Sequence, residues 1–94
     1  MQQRFKPVGR IVVRHIGEDA LLVPVSGPAA GGRVYPVNET AECVWNCLSA
    51  GGTIEEAAER LLARYAVTPE EARSDCEACA NALLNEGLIE KARA

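Results

Sequence analysis

Four cysteines are the residues whose types and spacing could most readily do chemistry. Cys43 and Cys47 form a C-x₃-C pair, and Cys76 and Cys79 form a C-x-x-C pair. Four thiolates could complete a tetrahedral zinc site, and a C-x-x-C can also act as a redox pair. On a helical wheel, Cys76 and Cys79 fall within the apolar stripe of one predicted helix, whereas the other pair falls on the far side of its helix from the stripe. The pattern therefore favours packed or surface thiols over a four-cysteine zinc protein, and predicts no metal or other cofactor.

The chain has a single histidine, His15, near the end of a predicted strand. A catalytic histidine needs a nucleophile and an orienting partner, and the spacing around His15 offers neither. No glycine-rich phosphate loop is present. The acidic residues mostly stand at predicted helix starts, where the helix dipole accounts for them. The sequence therefore predicts a protein that is not an enzyme.

Length, composition and charge favour one globular domain over residues 1–94. The chain has 48% hydrophobic and 24% charged residues and a formal net charge of −3. Nucleic-acid binding usually requires a basic stripe, which this chain lacks. No apolar run could span a bilayer, and residues 1–10 lack the apolar core of a signal peptide. A cytoplasmic protein without nucleic-acid or membrane partners is expected.

Three strands are predicted in the first third of the chain. Residues 11–13 and 20–25 are apolar runs separated by a turn at 17–19, which indicates a hairpin. A flexible loop at 26–32 leads to a third strand at 33–37. Because Pro36 cannot donate to a sheet ladder, this strand should lie at a sheet edge.

Three helices follow, each with recognisable end signals. The first should run from about residues 38–40 to 49, with Trp45 as its core anchor. Thr53 and Glu56 form a T-x-x-E capping box for the second helix. Thr68, Pro69 and Glu71 repeat the signal for a third helix over about 69–86. A short strand at 88–90 and a frayed tail at 91–94 complete the prediction.

This order predicts an α+β fold, a winged helix-turn-helix with a three-stranded N-terminal antiparallel sheet and three helices. The fold suggests a winged-helix DNA-binding regulator as one alternative. That alternative is disfavoured because the third helix carries only one basic residue, Arg73, among five acids: Glu70, Glu71, Asp75, Glu77 and Glu86. The edge strand at 33–37 could instead accept a peptide as an added strand, or could simply be protected by Pro36. It would also permit a homodimer.

Several motifs occur in an order that resembles the PqqD family. They are VYPVNETA at 34–41, the pair Val44-Trp45, GGTIEE at 51–56 and LLNEGLI at 83–89. The resemblance covers a core of about residues 8–90. The chain departs from the family pattern at Pro36, which lacks a donor N–H. Its turn at 49–52 is more similar to PqqD-like proteins in general than to the member in pyrroloquinoline quinone (PQQ) biosynthesis.

The resemblance implies a RiPP recognition element, which is a small non-catalytic peptide chaperone. Such a protein binds the leader of a ribosomally made precursor peptide and presents it to a modifying enzyme, either a radical SAM protein or another type, in PQQ biosynthesis or another pathway. The leader is expected to lie beside the third strand and against the third helix. The contact residues carried over by position are Arg33, Val34, Tyr35, Val37, Arg73, Cys76, Glu77 and Ala80.

Overall fold

The computed structural model describes residues 2–93 of the chain. Four strands are followed by three helices and a last short strand. This is the predicted order, apart from an additional first strand. The elements are β1 (Phe5–Pro7), β2 (Ile11–Ile16), β3 (Asp19–Pro24), β4 (Tyr35–Val37), α1 (Glu39–Ser49), α2 (Ile54–Arg64), α3 (Pro69–Asn85) and β5 (Ile89–Lys91). The predicted α+β class, with a three-stranded N-terminal sheet and three helices, is confirmed.

The larger sheet is antiparallel with the strand order β2-β3-β4. β2 and β3 form the predicted hairpin, in which Ile16 pairs with Asp19 beside a tight turn. Gly17 has a φ of 62° in this turn, a conformation that glycine adopts without a steric penalty. β4 lies at the edge of the sheet, which confirms the prediction made from Pro36.

A second, two-stranded sheet joins the two ends of the chain. β1 pairs antiparallel with β5, and the Ala92 N–H donates to the Arg4 carbonyl at 2.9 Å. Phe5 anchors this sheet in the core. The predicted frayed tail is therefore wrong for Lys91 and Ala92, because backbone pairing with β1 holds them, while Ala94 lies outside the described residues.

The helix starts match the capping signals in the sequence. The Asn38 side chain accepts from the Ala41 N–H at 2.8 Å and begins α1. Thr53 with Glu56, and Thr68 with Glu71, form complete capping boxes at the starts of α2 and α3. Each cap satisfies backbone donors that the helix leaves free, a contribution of about 0.5–2 kcal/mol.

The core lies between the inner face of the larger sheet and the three helices. Trp45 is 4% exposed, which confirms it as a core residue. Cys43 and Cys47 lie on the far side of α1 from the apolar stripe and are nevertheless buried, so of the two positions left open, core or surface, the structure shows the core. The physical reason is that α1 is covered on more than one side, by α2 and α3 as well as by strands of both sheets.

The outer face of the larger sheet is mostly apolar and has no helix packed on it. Strand alternation places Leu22 and its partner Val13 toward the helices, and their neighbours outward. Among the outward residues, Ile16, Val25 and Val34 are 63%, 51% and 47% exposed. This surface, called the outer face below, consists of Val12, Ile16, Leu21, Val23, Val25, Val34 and Pro36, together with the charged residues Arg14, paired with Leu21, and Asp19, paired with Ile16. Within residues 2–93, no helix is long and apolar enough to cross a membrane.

Candidate peptide-binding site

The free edge of β4 presents backbone groups that no strand pairs. Leu21 pairs with Pro36, and this pair cannot be a hydrogen-bonded one because proline has no N–H. The ladder to β3 is therefore formed by Tyr35 and Val37, whose peptide groups point toward β3. Those of Val34 and Pro36 point away from the sheet. An added strand could bond to the Val34 N–H and to the carbonyls of both residues, but would lack one donor at Pro36.

α3 runs antiparallel to β4 along this edge. At one end, the Arg33 Nη2 atom lies 3.8 Å from Glu86 Oε2, at the end of α3. At the other end, Asp75 and Asn38, the N-cap of α1, line one cleft of about 340 Å³, whose remaining lining residues belong to α1 and α3. The five-residue step from Arg33 to Asn38 spans roughly 16 Å in a strand, and the eleven-residue step from Asp75 to Glu86 spans roughly 16 Å in a helix. The equal spans place residues 33–38 and 75–86 side by side, and the surface between them is called the β4–α3 groove below.

The β4–α3 groove has an apolar floor and polar ends. Tyr35 and Val37 are half-buried and pack against the core on one side. Val44 of α1 contributes to the floor, and the half-buried Cys79 contributes to the helix wall. This arrangement suits an extended chain whose backbone pairs with β4 while alternate side chains enter the groove.

The predicted site residues of the strand all lie at this groove or its edge. Arg33 and Val34 are exposed, and Tyr35 and Val37 are half-buried. The Arg33 guanidinium lies 5.4 Å from the centroid of the Tyr35 ring, in cation–π range. The Val34 side chain belongs to the outer face, so its backbone rather than its side chain is available to a peptide in the groove.

Of the four predicted site residues on α3, two are buried and two are exposed. Cys76 and Ala80 are 0% and 1% exposed, so they belong to the core and not to an accessible wall. Arg73 pairs with Glu77 at 3.0 Å and approaches Glu55 of α2 at 3.8 Å. These four positions therefore face the core or α2, and none lies on the flank that faces β4.

The flank of α3 that faces β4 was missed from the sequence. It lies roughly half a turn around the helix from Arg73 and Glu77. Its residues are Asp75, Ala78, Cys79, Ala82 and Glu86. The apolar stripe marks the buried side of α3, but only the packing of α1 and α2 reveals which neighbour lies beside each flank.

Residues 18–89 match the family model described as Coenzyme PQQ synthesis protein D (PqqD). The chain belongs to the PqqD family. Two solved structures share the fold of this PqqD-family chain. "TbiB1 in complex with the TbiA(beta) leader peptide" is 22% identical, with a TM-score of 0.75 over 95% of this chain and 99% of that one. "Lasso peptide synthetase B1 complexed with the leader peptide" is 23% identical, with a TM-score of 0.75 over 93% and 98%. A search of curated proteins finds no match.

Three thiols of this PqqD-family chain, those of Cys47, Cys76 and Cys79, are poor nucleophiles at neutral pH. Burial raises the pKa of Cys76 to about 12, with a further contribution from the neighbouring Cys79. Burial also raises the pKa of Cys47 and of Cys79. Thiolates, not thiols, attack electrophiles and bind metals. Within residues 2–93, no three His, Cys, Asp or Glu side chains come together as a metal-binding group.

The buried thiol of Cys76 predicts a loss of stability at alkaline pH. The pKa is 9.0 for the ordinary thiol and about 12 in the folded chain. The contribution of the neutral buried thiol to the free energy of unfolding is therefore fully present below about pH 9 and is lost as the pH rises through about 12. In that window the free energy of unfolding should fall by about 1.4 kcal/mol per pH unit from this group.

Urea unfolding at stepped pH measures this slope. Cys76→Ala should lower the free energy of unfolding at every pH because it leaves a small cavity. Its curve of free energy against pH should also be flatter than the wild-type curve between pH 9 and 12. Parallel curves for the two proteins would show that Cys76 is not the titrating group.

Proposed function

We propose that this PqqD-family chain is a non-catalytic binding module for the leader of a ribosomally made precursor peptide. The leader adds to the free edge of β4 and fills the β4–α3 groove. The observation that carries the proposal is the unpaired edge of β4, which ends at Asn38 beside a cleft between α1 and α3 that has Val44 in its lining. The proposal is supported by two proteins of the same fold, TbiB1 and lasso peptide synthetase B1, which are each described in complex with a leader peptide.

Recognition divides between the backbone and the side chains. Hydrogen bonds to the Val34 N–H and to the carbonyls of Val34 and Pro36 give affinity for any extended peptide. The groove gives specificity, because only alternate leader residues enter it. Pro36 removes one donor, so affinity depends more on the groove than it would for an edge with a full set of donors.

The proposal includes a modifying enzyme, of the radical SAM type or another, as the second partner. The outer face supports this part because Val34 and Pro36 belong both to that face and to the strand where the leader adds. The outer face is three strands wide and about six residues long, which is an area of roughly 250 Å². A stable dimer buries about 800 Å² per partner, so the outer face alone suits a transient contact. A homodimer through the β4 edge would compete with the leader and is therefore proposed only for the peptide-free chain.

The substrate determines the compartment that we propose, and the family description names a pathway to test. A leader attached to a newly translated precursor is met in the cytoplasm, where we place the protein. The family description names PQQ synthesis, so the precursor and the enzyme of that pathway are the first pair to test.

An amide NMR titration with a synthetic leader peptide tests the proposal. Shifts should concentrate at residues 33–38 and along the groove flank of α3, at residues 75, 78, 79, 82 and 86. Shifts along Arg73 and Glu77 instead would move the site to the α2 side of α3. No shift with any precursor leader in large excess would refute the leader-binding role.

Tyr35→Ala should weaken leader binding roughly tenfold while the domain stays folded. The ring forms part of the groove floor and lies under the Arg33 guanidinium, yet it is half-buried and not central to the core. Fluorescence anisotropy with a labelled leader measures the affinity. Tyr35→Phe keeps the ring and should bind as the wild type does. Unchanged affinity in Tyr35→Ala would remove this side chain from the site.

A further inference from the structure

The β4–α3 groove ends at a carboxylate without a cationic partner. Among the described residues, Asp75 forms no ion pair and no side-chain hydrogen bond, whereas Glu77 pairs with Arg73 and Glu86 with Arg33. Asp75 is exposed, and it lines the cleft of about 340 Å³ at the Asn38 end of the groove. Its charge is therefore available to a bound molecule.

The positive end of α1 does not neutralise Asp75. Asn38 already accepts from the Ala41 N–H at this end. Two acids of the first turn, Glu39 and Glu42, already complement the helix dipole. The cleft therefore has a net negative mouth above the apolar floor formed by Val44.

The helix wall beyond Asp75 consists of small side chains. Ala78 and Cys79 line the cleft, and Ala82 continues the same flank one turn further. These small side chains leave room for larger apolar side chains of a bound peptide strand. The groove changes from negative at Asp75 to a neutral ion pair at Arg33 and Glu86 over roughly 16 Å, which is the length of about five strand residues.

We propose that Asp75 selects leader segments in which a Lys or Arg residue directly flanks an extended run of about five residues with large apolar side chains at alternate positions. The cation pairs with Asp75, and the apolar side chains fill the space beside Ala78, Cys79 and Ala82. This inference rests on the leader-binding function proposed above and adds its substrate class. The partly apolar surroundings give the ion pair an effect of roughly three- to tenfold on affinity.

The test is a selection from a displayed library of random peptides about twelve residues long, more than twice the span of the groove. The wild-type chain should enrich peptides with a basic residue at a fixed distance from alternating apolar residues. Whether that residue precedes or follows the apolar run gives the strand direction. Asp75→Lys should reverse the preference to Asp or Glu, and Asp75→Asn should abolish it. Glu70→Lys is the matched control, because it makes the same charge change at an exposed position in the first turn of α3.

Each outcome separates this inference from the function on which it rests. Reversal in Asp75→Lys but not in Glu70→Lys would establish the selection. Enrichment of apolar strands without a basic preference, or with the same preference in Asp75→Lys, would overturn the role of Asp75 and leave leader binding intact. Enrichment of no peptide by the folded wild-type chain would overturn both. Circular dichroism of each variant confirms that it is folded.

Discussion

Trp45→Ala should lower the free energy of unfolding by about 3–5 kcal/mol. The indole is almost fully buried in the middle of α1 and is the largest side chain of the core cluster. It also lines a cleft with Pro7 and Ile11, so it connects α1 to the segment that joins the two sheets. Domains of this size are stable by about 5–15 kcal/mol, so this one substitution removes a large share of the total.

Urea unfolding followed by far-ultraviolet circular dichroism measures the loss. Asn46→Ala is the matched control, because Asn46 is the next residue of α1 and is exposed. The control should stay within about 0.5 kcal/mol of the wild type. If Trp45→Ala unfolded at the wild-type urea concentration, the assignment of Trp45 as the anchor of the core would be wrong.

Ala82→Trp should reduce leader affinity by a factor of about 30 or more, because the loss of the docked apolar contacts costs about 2 kcal/mol or more. Ala82 is exposed on the flank of α3 that faces β4. An indole there would occupy the space that the leader side chains need. The folded chain should keep its stability, since the new ring replaces no core residue. Isothermal titration with the leader peptide measures the affinity.

Glu77→Trp adds the same ring on the opposite flank of α3 and serves as the control. Glu77 is exposed, and its partner Arg73 lies toward α2. Leader affinity should therefore match the wild type. The reverse result would be weaker leader binding in Glu77→Trp and unchanged binding in Ala82→Trp. It would place the site on the flank of Arg73 and Glu77, which the family resemblance implied, and would refute the groove described above.

The sequence by itself determined the features that depend on neighbouring residues. The capping boxes of Thr53 and Thr68 fixed the starts of α2 and α3, because each closes through hydrogen bonds over three residues. The turn at Gly17 fixed the hairpin. Pro36 excluded a central strand, because it lacks the N–H that a second neighbour would need. The order of these local signals was also sufficient to indicate the family.

Only the tertiary structure decided the features that depend on distant parts of the chain. β1 pairs with β5 across almost the whole sequence, and a three-residue strand with one buried side chain, Phe5, leaves no periodic pattern to predict it. Cys43 and Cys47 are buried because α1 is enclosed on several sides, which a single apolar stripe does not reveal.

The position of the groove on α3 has the same physical origin. Helical periodicity identifies the side of α3 that holds Cys76 and Leu83 in the core. It does not distinguish the two flanks of that side, since both carry exposed residues in the sequence. The packing of α2 against one flank and of α1 beside the other assigned Arg73 to the first and Asp75 to the second. Local hydrogen bonds thus determined the elements, and long-range packing determined which of their surfaces remain available for binding.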